Sequence, residues 1–261
     1  MPYDISQNSL SNSLDTKLIG NDLLYLDSVV STMDVAADLA IGGANEGTIV
    51  IAEEQTKGRG RFDRTWISPA GQNLYMSMIL YPDIGYINQI GMICAVSIVD
   101  TLARILPKGS AISIKWPNDV RVGGRKIAGI LVENRILEGA KQISIIGIGL
   151  NINLNTKGIP EISNIATSVS VELGYDVGRL EVIKSLFGNL ERSYIQTKDG
   201  GSVKPRWENM LDTLGKRIKL SFGQGTIEGL AESVDDNGNL IVVLDNGEFL
   251  NVNAGEVTSQ V

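Results

Sequence analysis

Between residues 111 and 150, β-patterned segments follow one another with little chain between them: Ala111 to Trp116, Val120 to Val122, Lys126 to Glu133 and Gln142 to Leu150. Gly123-Gly124 reads as a two-residue hairpin turn. A parallel pair needs a crossover of about a dozen residues or more, so these connections favour antiparallel pairing. The chain reads as α+β, a mixed and mainly antiparallel sheet with helices, rather than doubly wound α/β.

The rest of the chain dresses that sheet. Residues 1 to 21 are Ser/Asn-rich and read as a loosely held tail. A strand is expected from Leu23, then Ser31-Thr32 as an N-cap for a helix ending at Gly42-Gly43, and a buried strand over Thr48 to Ala52. Gln55 to Ser68 is polar and aperiodic, a loop, and Leu74 to Leu80 alternates as a strand. Helical spacing runs from Ile87 to Leu106, where Pro107 stops it, and recurs over Leu180 to Tyr194 and Val203 to Leu214. Beyond about residue 213 the texture changes to short strands: Ile218 to Ser221, Gly225 to Val234, Leu240 to Leu244 and Glu248 to Val252. Asp235 to Gly238 and Asp245-Asn246-Gly247 mark turns between them, the pattern of a small SH3-like barrel. The expected domains are therefore residues 22–212 and 213–261.

Composition removes whole classes of chemistry. There is no histidine among the 261 residues, so neither a Ser/His/Asp arrangement nor the usual zinc site is available. A net charge of −7 disfavours generic nucleic-acid binding. No apolar run reaches the roughly 18 residues of a membrane span, and no secretory signal is visible. The single cysteine, Cys94, fits a small buried residue and a reducing cytoplasm.

Three segments stand out. Lys57 to Arg64 packs four cations and two glycines into eight residues of an otherwise acidic chain. Its glycines let backbone approach an anion and its arginines can grip phosphate or carboxylate, although a solvated basic loop would look the same. Lys115-Trp116-Pro117-Asn118-Asp119 combines an apolar wall with polar groups just before the hairpin carrying Lys126, and can equally be a plain turn. Gly147 to Asn153 ends an apolar strand with glycines and asparagines; it lacks the third glycine and the helix of a dinucleotide fingerprint.

Taken in order, Ser31-Thr32, Glu54-Gln55 with Gly58-Arg59-Gly60-Arg61, Trp66 to Tyr75, Lys115 to Asp119, Arg125 to Glu133 and Gly147 to Asn153 resemble the biotin protein ligase family. The resemblance is close over residues 25 to 155, and the small C-terminal barrel fits it. It implies a class II synthetase-like catalytic fold, ATP and biotin as substrates with Mg²⁺, and a biotin carboxyl carrier domain as partner. It also implies that Ser31, Thr32, Gln55, Gly58, Arg59, Arg61, Lys126 and Gly129 surround biotin. Arg61, Arg64, Trp66, Asn118, Lys126 and Asn151 would then meet the nucleotide, with Lys126 and Arg59 nearest the chemistry and Asp119 the candidate metal contact. The stretch before Leu23 is short for a winged helix, so no DNA binding is expected; a homodimer stays open. Asp63 stands where the family pattern has glycine, and Met33 where a polar residue is common. A lipoate ligase or octanoyl transferase, or a non-catalytic biotin- or nucleic-acid-binding protein, are the competing readings.

Overall fold

A computed structural model describes residues 4–136, 142–222 and 225–259. The main sheet has seven strands: β1 (Leu23–Val29), β2 (Ile49–Gln55), β3 (Leu74–Leu80), β4 (Ile112–Lys115), β5 (Asp119–Val122), β6 (Arg125–Ile136) and β7 (Gln142–Leu150), in the order β1-β2-β3-β7-β6-β5-β4. Among the strands of this sheet as described, β1 and β2 form the one parallel pair, and the helix α2 (Thr32–Ile41) supplies the crossover that such a pair needs. All the short connections seen in the sequence close antiparallel pairs. The fold class is thus the mixed, mainly antiparallel α+β arrangement expected.

Strand alternation divides the core between the two faces of the sheet. On one face Ile49, Ile51, Met76, Met78, Ile146 and Ile148 pack with helices α3 (Ile90–Ile105) and α5 (Arg179–Lys198). Opposite them, Val50, Ile79, Ile143 and Ile145 are covered by Met33, Ala36, Ala37 and Ala40 of α2. Further along that second face β7 and β6 place Gly147, Gly149 and Gly129, with Gly129 directly opposite Gly149. Missing side chains there leave a trough beside the N-terminal end of α2.

A second sheet follows, with β8 (Arg217–Phe222), β9 (Gly225–Val234), β10 (Leu240–Val243), β11 (Phe249–Val252) and β12 (Glu256–Ser259) in antiparallel order β11-β10-β9-β8-β12. Strand β12 was not expected. It is short, and only its pairing with β8 defines it. Trp116 ties the two sheets together, its indole N–H donating to the Gly238 carbonyl at 2.8 Å.

Two readings are corrected. Residues 4–20 are no loose tail: α1 (Gln7–Ser11) forms, and Ile5, Leu10 and Ile19 are buried in the core. The composition is polar, but the segment is docked by those apolar side chains together with Asp4 on Arg179, Gln7 on the backbone of β1 and Glu191 on the amides of Leu18 and Ile19; residues 1–3 lie outside the described ones. The helix expected over 203–214 ends early, as α6 (Lys204–Asn209), because the chain turns to run beside β4, where the Ile114 amide donates to the Met210 carbonyl and that of Asp212 to the Ile114 carbonyl.

Candidate active site

The trough is roofed by Gln55 to Ser68. Trp66 lies over the two glycines: a Cβ built on Gly149 would stand 2.3 Å from its ring, and one on Gly129 2.9 Å from it. These glycines are required by close approach rather than by backbone conformation. The indole N–H of Trp66 is buried and finds no acceptor among the described residues.

Two hollows open on either side of this indole. The narrower is lined by Ser31, Thr32, Gln55, Arg59, Gly129 and Gly147, among others. Ser31 caps α2, its Oγ accepting from the Met33 amide. Gln55 Oε1 accepts from the Thr32 amide and hydroxyl at 2.9 and 3.1 Å, while its Nε2 donates to Ser68 Oγ at 3.1 Å. Gly58 gives the loop room, since a Cβ there would sit 2.5 Å from the Trp66 carbonyl. Met33, the departure from the family pattern, fills space over Gly147, its sulfur 2.9 Å from where a Cβ would be.

The wider hollow, about 390 Å³, is lined by Arg61, Arg64, Lys115, Asp119, Arg121, Asn151 and Glu256, among others. Arg61, Trp66, Asn118 and Lys126 border both. Lys126 sits at this junction with its Nζ 2.6 Å from Asp119 Oδ1 and 5.1 Å from the Trp66 ring centre, so a carboxylate and an aromatic face fix the ammonium together. Asn118 braces the same corner, donating to the Ile130 carbonyl at 2.7 Å and accepting from Arg61 at 3.1 Å. Burial lowers the pKa of Arg61, with Asp119 and Glu256 opposing the shift. It also lowers that of Lys115, an effect added to by neighbouring Arg121.

Every residue expected around the substrates borders these hollows, except Gly58, which shapes the lid. Asn151 is held in place: its Nδ2 donates to the Thr167 carbonyl at 3.0 Å, and it is 4% exposed. Arg59 ion-pairs with Asp34 at 2.8 Å and lies 3.6 Å from Glu133, and Arg64 pairs with Glu256 of the second sheet. The side chain of Asp63 lies outside the described residues. Asp34, Glu133, Arg121 and Glu256 went unnoticed in the sequence. Only Arg121 gave a signal, since it alternates with Asp119 on one face of β5.

Residues 25–151 match the model of the Biotin/lipoate A/B protein ligase family, and residues 213–258 match that of the Biotin protein ligase C terminal domain. The bifunctional ligase/repressor BirA of Bacillus subtilis is 35% identical over 251 residues, 94% of this chain and 77% of that protein. The biotin–[acetyl-CoA-carboxylase] ligase of Mycobacterium tuberculosis is 30% identical over 258 residues, 94% of this chain and 93% of that one. The chain belongs to the biotin protein ligase family. A solved biotin protein ligase from Aquifex aeolicus, in complex with biotin and ATP, superposes with a TM-score of 0.76 at 30% identity, covering 92% of this chain and 98% of that one. Among the described residues no helix is long and apolar enough to cross a membrane.

Proposed function

We propose that this family member activates biotin with ATP to biotinyl-5'-AMP and transfers the biotin to a lysine of a biotin carboxyl carrier domain. The observation that supports this reading is the meeting of a narrow polar-ended slot and a wide cationic hollow at Lys126. In the narrow slot Ser31, Thr32 and Gln55 offer the donors and acceptors that a ureido ring needs, with Gly58 and Gly129 giving close approach. In the wide one Arg61, Arg64, Trp66, Asn118 and Asn151 face the nucleotide.

The chemistry needs no histidine. A carboxylate is ionised at neutral pH, with a reference pKa of about 4.3 for a Glu-like acid, so it attacks the α-phosphorus without a base. The bond from that phosphorus to the bridging oxygen breaks, and pyrophosphate leaves with the electron pair. Two anions must meet, and Lys126, Arg59 and Arg61 neutralise the repulsion and the developing charge. The carrier amine, whose free pKa is about 10.4, then attacks the acyl carbon as its neutral form; AMP leaves and the amine gives up a proton. The basic loop shields the mixed anhydride from water. Arg59 must exchange Asp34 and Glu133 for the ligand when this happens.

Mg²⁺ fits as a companion of the triphosphate, neutralising phosphate oxygens. Asp119 and Glu256, the carboxylates bordering the wide hollow, are both ion-paired, and among the described residues no three acidic or thiol groups cluster as a cage. Asp119 is the side chain that would touch the ion.

Incubation with biotin, ATP and a carboxylase carrier domain is expected to raise the carrier's intact mass by one biotinyl group, and only when both small molecules are present. An unmodified carrier together with no biotin-dependent pyrophosphate release would overturn the reading. Gly149→Ala is expected to displace Trp66 and weaken binding of both biotin and ATP about tenfold, since overpacking a filled site costs ~1–3 kcal/mol. Calorimetric titration checks it; unchanged affinities would remove Trp66 from the site.

A further inference from the structure

Asn73 is 1% exposed and borders neither hollow, yet its side chain reaches a residue in the wall of the wide one. Register explains how. Leu74 opens β3 opposite Leu150, the last residue of β7, so one step beyond the ladder Asn73 falls beside Asn151. The two segments stay strapped together there. Asn73 Oδ1 accepts from the Ile152 amide at 2.9 Å, and the Gln72 carbonyl accepts from the Asn153 amide at 2.8 Å.

The Asn73 Nδ2 has two further partners, the Tyr75 hydroxyl at 3.1 Å and Asn151 Oδ1 at 3.5 Å. The second contact is the longer one, but it is the one that meets the site. On its other end the Asn151 amide donates from Nδ2 to the Thr167 carbonyl. A donor against one end and an acceptor against the other fix which way this amide faces, because turning it over would set nitrogen against nitrogen and oxygen against oxygen. Asn151 keeps one Nδ2 hydrogen and the remaining acceptor capacity of Oδ1 for a ligand. Asn73 is itself held from behind. Its carbonyl accepts from Arg179 Nη1 at 3.1 Å, and the Tyr75 hydroxyl donates to the Pro69 carbonyl at 3.0 Å. A buried amide with all these partners has no freedom to turn, which suits a support rather than a ligand contact.

We propose that Asn73 is a positioning residue for the nucleotide: it sets the facing of the Asn151 amide and touches neither substrate. The proposal rests on the ligase reading above, which gives Asn151 to the nucleotide. Asn151 borders the wide hollow alone, so the effect of Asn73 falls on ATP and not on biotin.

The test is calorimetric titration of the full chain with ATP and, separately, with biotin. Asn73→Ala is expected to weaken ATP binding about fivefold, the net contribution of one neutral hydrogen bond, and to leave biotin binding within a factor of two. In an Asn151→Ala background the same substitution should cost ATP binding nothing more, because the group through which it acts is gone. A merely structural role would weaken both ligands and would add to Asn151→Ala. Thermal melting monitors the fold. Should Asn73→Ala not fold, Asn73→Asp takes its place: it keeps an acceptor for the Ile152 amide, sets an oxygen against Asn151 Oδ1, and is expected to show the same loss for ATP. Equal losses for the two ligands, an unchanged ATP affinity, additive losses in the double variant, or no ATP binding by the unaltered chain would each overturn the proposal. These titrations contain no carrier, so a chain that binds ATP in this way but leaves the carrier unmodified would fail the ligase reading alone.

Discussion

Lys126→Ala is expected to lower kcat/KM for biotin-dependent pyrophosphate release by about 10³-fold, the ~4 kcal/mol that one preorganised charge at a reacting centre supplies. The folded state should scarcely notice. The Lys126–Asp119 pair is a third to a fifth exposed, and such pairs contribute about 0–1 kcal/mol, so the melting temperature should move by no more than about 4 °C. Rate and stability are thus predicted to separate, which a structural lysine would not allow. Single-turnover pyrophosphate release and thermal melting of the same preparation measure both. A variant that keeps a tenth of the rate, or loses its rate only by unfolding, would remove Lys126 from the reacting centre.

The legible part of the fold was the part written in local pattern. Hairpin glycines at 123 and 124, alternation over 126–133 and the apolar run of 142–150 each specify a strand and its neighbour without reference to distant chain. What escaped was whatever depends on a partner far away. Strand β12 exists because β8 offers an edge, and α6 stops at Asn209 because the chain beyond it makes a single parallel bridge to β4 at Leu211.

The site divides in the same way. Motif residues such as Ser31, Arg61 and Lys126 border the two hollows that meet at Lys126. Their supporting charges carry no local signature: Asp34 and Glu133, which hold Arg59, look like ordinary surface acids in the sequence, and Glu256 reaches Arg64 from another sheet. Two of these acids meet Arg59 and the third meets Arg64, so both arginines of the loop are held by carboxylates from other parts of the chain.

The buried charge behind the site was the least visible of all, and it yields the largest expected loss of stability. Arg179 on α5 is fully buried and donates to Glu53, also fully buried, through two bonds of 3.0 Å. Its third side is closed by Asp4 of the docked N-terminal segment, whose Oδ1 accepts from Nε at 2.6 Å, and it also donates to the Asn73 carbonyl at 3.1 Å. Glu53 in turn receives the Gly71 amide and the Tyr25 hydroxyl, so a single ion pair joins β1, β2, the chain leading into β3, and α5. Removing one member strands the other charge in an apolar interior. Arg179→Met is expected to destabilise the chain by about 3–5 kcal/mol, lowering the melting temperature by roughly 10 °C. The hydrocarbon stem survives in that variant, so the loss reports the stranded Glu53 carboxylate rather than a cavity. Adding Glu53→Gln should then restore much of the stability, because the uncompensated charge is gone while Tyr25 and Gly71 keep a polar partner. If the double variant melts no higher than Arg179→Met alone, the ion pair is not what couples these elements.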